Sequence, residues 1–204
     1  MCHFCLCVQG TFVLLILGEA IIQLVQHPGG ESGMDYTRGL TGFTTCFNVG
    51  VLYYQQQLVE KAVVRSYAQR STSHSWMLLH IVLSLFMLFF ASGIKLVYDP
   101  GDEDDEGEEG EGGEDRQQKE EILMSVSAAI SLCIIFVLRM QYKGIIRNQS
   151  VSHRNLSYAI RFILSASCAG VPLITTNATH TSSILCGITS LLVLQVFISK
   201  HLWR

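Results

Sequence analysis

Charged residues are scarce in this chain of 204 residues, at 15% of the total, whereas a typical globular domain has about 25%. Their distribution is also uneven, because 13 of the 17 Asp and Glu residues lie within residues 99–121. Two of the 14 Lys and Arg residues fall there, so that segment carries −11 and the remainder of the chain carries +8. With 49% apolar residues, this pattern excludes most soluble enzyme classes and simple nucleic-acid binders. It predicts a protein whose partner is the lipid bilayer.

The sequence lacks the strict alternation of apolar and polar residues that membrane β-strands require. Its apolar runs, such as FVLLIL and LSLFMLFF, instead favour helices, which satisfy their own backbone hydrogen bonds in hydrocarbon. About 20 apolar residues cross a bilayer. We therefore predict an all-α polytopic bundle with about six spans, the second of which is rich in Thr, Asn and Gln. The predicted spans are residues 4–25, 40–58, 76–97, 122–140, 156–175 and 183–202.

The basic residues predict the orientation of these spans. If the N-terminus lies on one side of the membrane, nine Lys and Arg residues fall on that side and four on the other. Cytoplasmic loops carry the excess of Lys and Arg, so both termini are predicted to be cytoplasmic. The acidic segment 99–121 is then lumenal or extracellular, and its composition predicts a disordered loop. The first residues lack the basic region of a signal peptide, and the abrupt apolar start predicts that helices are missing upstream.

Constellations typical of enzymes and metal sites are also lacking. We find no nucleophile paired with a base and no cluster of acids within the apolar spans, so the chain is predicted not to be an enzyme. Cys2, His3, Cys5 and Cys7 are spaced too tightly for a zinc site, and packing is favoured over metal binding or palmitoylation. An EF-hand aligned on the acidic segment would have Gly113 where its bidentate Glu belongs. We predict no metal and no cofactor.

Polar residues at membrane depth are the candidates for function, because burying them in hydrocarbon is unfavourable. Each predicted helix carries such residues on one face, and in a bundle these faces would line an interior. Two interpretations stay open: Glu19 and His80 form part of a proton or ion path, or they are hydrogen-bond partners that hold helices together. Arg161 is expected to extend to the cytoplasmic surface or to pair with Glu19. The candidates are Glu19, Gln23, Asn48, Gln55, His80 and Arg161.

The first three spans carry a recognisable order of motifs. Residues 10–25, GTFVLLILGEAIIQLV, contain an LGE core, the second span has an aromatic patch, and the third begins near a His and ends in AxG. This arrangement resembles the low temperature requirement A (LtrA) family of membrane proteins over residues 10–98. Gln55 and Lys95 stand where that family often has carboxylates. The principal matching residues are Gly10, Gly18, Glu19, Tyr53, His80 and Gly93.

The resemblance implies a multi-pass membrane protein and little specific chemistry. The leading hypothesis is transport, or ion or proton handling, through the bundle with Glu19 as the titrating group. The alternative is a non-transporting structural or stress-tolerance membrane protein that is a fragment of a longer chain. The chain divides into residues 1–98 (three spans), 99–121 (acidic loop) and 122–204 (three spans). Partners other than lipid are predicted to be a second copy or missing N-terminal helices, with no nucleic acid.

Overall fold

The protein was analysed as a computed structural model, which describes residues 3–26, 33–63, 70–98, 112–143, 151–174 and 178–201. Every described segment is an α-helix, and no described residue is in a strand. The predicted all-α fold is therefore confirmed. The helices are α1 (His3–Gln26), α2 (Gly33–Val63), α3 (Arg70–Tyr98), α4 (Gly112–Lys143), α5 (Val151–Ile174) and α6 (Ala178–His201).

The start of α4 corrects the predicted acidic loop. Residues 112–121 were expected to be disordered, but α4 begins at Gly112, ten residues before the predicted span. The Gln, Lys and Glu residues that follow are good helix formers. Residues 99–111, the rest of the predicted loop, lie outside the described residues.

Neighbouring helices along the chain run antiparallel, and alternate helices run parallel. Gly10 pairs with Tyr54 and Leu17 with Gly50, so α1 and α2 run in opposite directions. Thr41 pairs with Ser182 and Asn48 with Thr189, a constant offset that makes α2 and α6 parallel. Glu121, near the start of α4, contacts Thr181 at the start of α6, so the starts of α2, α4 and α6 lie at one end of the bundle. We call it the α4-start end, and the opposite one the α4-finish end.

Helix α4 is the centre of the bundle. It packs against α3 and α5 over the largest interfaces and also contacts α2 and α6. In its apolar segment, 67% of the residues are buried, against 33–39% in the apolar segments of α3, α5 and α6. Leu132, Phe136 and Leu138 of α4 lie in the core with Leu83 and Met87 of α3.

The bundle buries polar side chains and exposes large apolar ones. Thr, Ser, Asn, His and Arg residues lie inside, whereas Leu15, Leu173 and Ile174 are among many exposed aliphatic residues. An outer face with this many exposed aliphatic side chains, around an interior that also holds polar ones, is typical of a membrane protein. Of the described helices, four are long and apolar enough to cross a bilayer, at Met77–Val97, Gln118–Met140, Leu156–Ile174 and His180–Ile198.

The two N-terminal helices are less apolar than expected. The apolar stretch of α1 is the shorter Gly10–Ile22, and α2 is not among the four candidates despite its 31 residues. Part of the polar composition of α2 faces α6 rather than the outside of the bundle, as described below. Six crossings stay a prediction, and four have the length and composition that they require.

Candidate functional site

A row of polar side chains joins α2 to α6. Thr41 donates to Ser182 Oγ at 3.1 Å, and the Asn48 amide donates to Thr189 Oγ1 at 3.2 Å and to Ser190 Oγ at 2.9 Å. Thr45 lies between them and donates to the Thr41 carbonyl at 2.8 Å. The spacing of four and three residues places all three α2 side chains on one helical face. We call Thr41, Thr45 and Asn48 with Ser182, Thr189 and Ser190 the α2–α6 seam.

Replacing Asn48 tests how far the seam holds the two helices together. We expect Asn48→Leu to lower the free energy of unfolding by about 1 kcal/mol, the upper range for hydrogen bonds between membrane helices. Unfolding by SDS in mixed micelles measures this change. Thr44→Val is the control, because the Thr44 hydroxyl donates to the Leu40 carbonyl of its own helix at 2.8 Å. Equal losses in both variants would contradict a contribution from the seam.

A buried carboxylate adjoins the seam at the α4-start end. Glu121 of α4 is 3% exposed, and the Thr181 hydroxyl donates to its Oε2 at 2.6 Å. This is the short distance of a hydrogen bond between a hydroxyl and a carboxylate. Thr181 directly precedes Ser182, so Glu121 and the seam meet at the start of α6.

A second polar side chain follows Glu121 on the same face of α4. Ser125, one turn further along, is fully buried, and within the described part of the chain its Oγ has no hydrogen-bond partner. Buried polar atoms are normally hydrogen-bonded, so this hydroxyl is a candidate for a further polar contact. Glu121, Ser125 and Thr181, here called the Glu121 cluster, thus combine a carboxylate with two hydroxyls inside the bundle.

Sequence reasoning missed Glu121 because it is the last of the 13 acidic residues and was assigned to a solvated loop. A signal was present. Glu121 immediately precedes the apolar run, and Ser125, Ala128 and Ala129 follow at helical spacing as a small or polar face. A carboxylate at the head of such a face favours an inward position.

Glu19 does not lie in the interior of the bundle, where the sequence analysis predicted it. Its side chain is exposed on α1, together with Leu15 and Ile22 on the same face. It therefore does not line the interior formed by the described helices. The side chain of Gln23, one turn further, lies outside the described residues.

Several residues of the family motif meet where α1, α2 and α3 pack together. His80 is buried, and its ring lies edge-on to Tyr53 with centroids 6.3 Å apart. Tyr53 in turn contacts Tyr54, whose hydroxyl donates to the Gly10 carbonyl at 3.0 Å. These contacts connect three helices through aromatic side chains and one backbone acceptor.

The remaining motif and candidate residues are separate from this cluster. Gly93 lies at the α3–α4 contact, and Gly18 has open space where a Cβ would lie. Gln55 is half-buried on α2, seven residues beyond Asn48 and so about 10 Å further along the helix.

The structure corrects the expectation for Arg161, which does not extend to the surface. It is 1% exposed and is the largest fully buried side chain. Its Cζ lies 5.8 Å from the ring centroids of both Phe136 and Tyr158, a cation–π arrangement that accommodates the charge. The expected pairing with Glu19 does not fit the packing, since α5 packs mainly against α4 and α6 whereas α1 packs mainly against α2 and α3.

Cysteines and metal ligands add no further site. Cys46, Cys133, Cys168 and Cys186 are free thiols. Among the residues that the structure describes, no group of three or more His, Cys, Asp or Glu side chains is arranged to hold a metal ion. The side chains of residues 2–7, with the Cys-rich start, lie outside that part.

Comparison with known proteins places the chain in a family. The family described as bacterial low temperature requirement A protein (LtrA) matches residues 9–197. The match extends past the three N-terminal spans, which carry the motifs described above, across the acidic segment and into α6. No curated protein and no solved structure matches the chain. Because the match covers most of its length and its helices are apolar on the outside, the chain is a multi-pass membrane protein that belongs to the LtrA family.

Proposed function

We propose that the bundle carries protons or a small monovalent cation across the membrane, with Glu121 as the group that takes them up and releases them. The observation that supports this most directly is the burial of Glu121 against Thr181 inside an apolar bundle. A carboxylate buried between apolar helices is unfavourable, and ionisable residues that face the interior of a membrane bundle typically mark ion paths and proton relays. Glu19 is the less suitable candidate for this role because it faces outward.

The α2–α6 seam supports a path that leads away from Glu121. From Thr41 to Asn48 it follows α2 for seven residues, or about 10 Å, and Gln55 continues the polar face by a similar distance. Hydroxyl and amide groups can pass hydrogen bonds along such a row and can solvate a small cation with their oxygens. One carboxylate among hydroxyls suits a proton or a monovalent ion better than a divalent one, which prefers several carboxylates.

The orientation is proposed from the basic residues. The α4-finish end adjoins segments that contain Lys61, Arg65, Lys143, Arg147 and Arg154 in the sequence. We infer that this end is cytoplasmic, and that the Glu121 cluster lies towards the lumenal or extracellular side. The alternating directions of the six helices support this orientation.

Proton flux in proteoliposomes tests the role of Glu121. Pyranine enclosed in the vesicles reports the internal pH, and a potassium diffusion potential drives protons inward. Vesicles with the unsubstituted protein are expected to take up protons under this potential, or to do so when a gradient of Na⁺ or of K⁺ is imposed instead. Glu121→Gln is expected to reduce the flux to the leak of protein-free vesicles, because the amide keeps the shape but cannot release a proton. Glu121→Asp should retain part of it.

Two matched variants make the result specific. Glu120→Gln removes the same charge from the adjacent, half-buried residue, and Glu19→Gln removes it from the outward face of α1. Both are expected to carry flux like the parent. If Glu121→Gln also does so, the proposed role of Glu121 is wrong.

The second candidate is a structural membrane protein without transport. It is favoured by the direct hydrogen bonds of the seam, which hold α2 to α6 without an intervening gap. In that case the unsubstituted protein shows no proton flux under the membrane potential, the Na⁺ gradient or the K⁺ gradient, and Glu121→Gln lowers only the unfolding temperature. The family description, low temperature requirement, is compatible with a role in tolerance of cold.

A further inference from the structure

The α4–α5 interface carries two arginines towards the α4-finish end of the bundle, Arg139 on α4 and Arg161 on α5. Phe136 and Arg139 are one turn apart on α4, and Tyr158 and Arg161 are one turn apart on α5. Because Arg161 stacks on both Phe136 and Tyr158, the antiparallel register of the two helices places Arg139 at the level of Tyr158. Two guanidinium charges at one level of the α4–α5 interface repel each other.

The two arginines differ in exposure. Arg161 is buried behind the rings, whereas Arg139 is half-buried and lies one residue before the end of the apolar segment Gln118–Met140. Arg139 is thus at the level where hydrocarbon gives way to lipid headgroups, with Arg161 deeper in the bundle. The described acidic side chains Glu120 and Glu121 lie at the opposite end of α4.

Repulsion between like charges is strongest where water is excluded, and an anion beside them relieves it. The planar guanidinium group binds phosphate through two parallel hydrogen bonds, better than an ammonium group does. Basic pockets between membrane helices at the cytoplasmic surface typically bind phosphate-bearing headgroups.

We propose that the α4–α5 interface binds a phosphate group, with Arg139 as the direct ligand and Arg161 as a second positive charge behind it. The phosphate belongs to an anionic phospholipid headgroup or to a free phosphate ion. The proposal is independent of ion transport, since the Glu121 cluster lies at the other end of α4.

Binding is measured on the full chain in detergent after removal of bound lipid, from the rise in unfolding temperature with ligand concentration. The probes are dioctanoyl phosphatidic acid, dioctanoyl phosphatidylcholine and inorganic phosphate, all at one ionic strength. A response to phosphatidic acid alone identifies a lipid headgroup, and a response to inorganic phosphate identifies a site for the free ion. Absence of a response to either anion would overturn the proposal.

Substitutions distinguish a site from general attraction to positive charge. Arg139→Gln is expected to weaken binding by roughly tenfold or more, the loss expected for a hydrogen bond to a charged group. Arg139→Lys keeps the charge without the paired donors and should bind with intermediate affinity. Lys95→Gln removes an exposed charge from α3 near the α4-start end and should bind like the parent. Equal weakening by Lys95→Gln and Arg139→Gln, or unchanged binding by Arg139→Gln, would refute the site.

Discussion

Gly93→Ala is expected to lower the free energy of unfolding by about 1–3 kcal/mol, the usual effect of overpacking a close contact. A Cβ at this position would lie 2.8 Å from the Met124 Cα and 3.0 Å from the Met124 backbone nitrogen. Backbone atoms cannot turn aside as a flexible side chain can, so α3 and α4 would have to separate. This loss exceeds the gain of about 0.5–1 kcal/mol that alanine normally brings to a helix. SDS-driven unfolding in mixed micelles measures the change.

Two other glycines provide matched controls for this experiment. At Gly187 nothing lies within 4 Å of an added Cβ, and at Gly50 the nearest atom is the end of the Leu17 side chain at 3.4 Å. Gly187→Ala should leave stability equal or higher, and Gly50→Ala should change it little. If Gly93→Ala were as stable as Gly187→Ala, the close approach of α3 and α4 would be wrong.

Phe136→Ala is expected to be the most destabilising of the substitutions considered, at about 3 kcal/mol or more. Phe136 is completely buried on the central helix, and Phe→Ala changes in cores lie at about 3–5 kcal/mol. A loss near the lower end of this range is expected, because detergent also solvates apolar side chains in the unfolded state. The loss of stability then comes mainly from the cavity and from the lost packing contacts. Removal of the ring also leaves a cavity beside the buried Arg161 charge. The same SDS titration provides the measurement.

Two further variants separate the causes of this loss. Phe136→Leu fills most of the volume without a π face, so a remaining loss of about 1–2 kcal/mol reports the interaction with Arg161. Phe197→Ala removes the same side chain from the outer face of α6, where it is exposed, and should change stability little. Comparable losses at Phe136 and Phe197 would contradict the central position of α4.

Much of the fold follows from the pattern of apolar residues. Runs of about 20 such residues predict helices in a bilayer, and α3, α4, α5 and α6 have the expected composition. The family motifs, from Gly10 to Gly93, could likewise be identified, since they depend on residue type and order. The beginning of α4 was missed because a high density of acidic residues was taken as disorder, although residues 116–121 also have good helix propensity.

The candidate sites depend on which helical faces meet in the bundle, and sequence reasoning did not predict those contacts. Glu19 and Glu121 are both carboxylates beside apolar runs, and spacing within one helix gives no partner for either. Arg161 was expected at the surface because a long basic side chain near a helix end usually reaches water. Phe136 and Tyr158 provide the surroundings that keep it inside, and one of them lies on another helix.

The sequence by itself determined that this is a helical membrane protein, because hydrophobicity and helix propensity are properties of local segments. It also determined which helices carry polar faces. Only the tertiary structure decided that Glu121 rather than Glu19 is buried, that α6 is the partner of the α2 polar face, and that Arg161 lies between two rings. Those outcomes depend on contacts between residues 25–141 positions apart in the chain. Such contacts are formed by packing, which local composition does not encode.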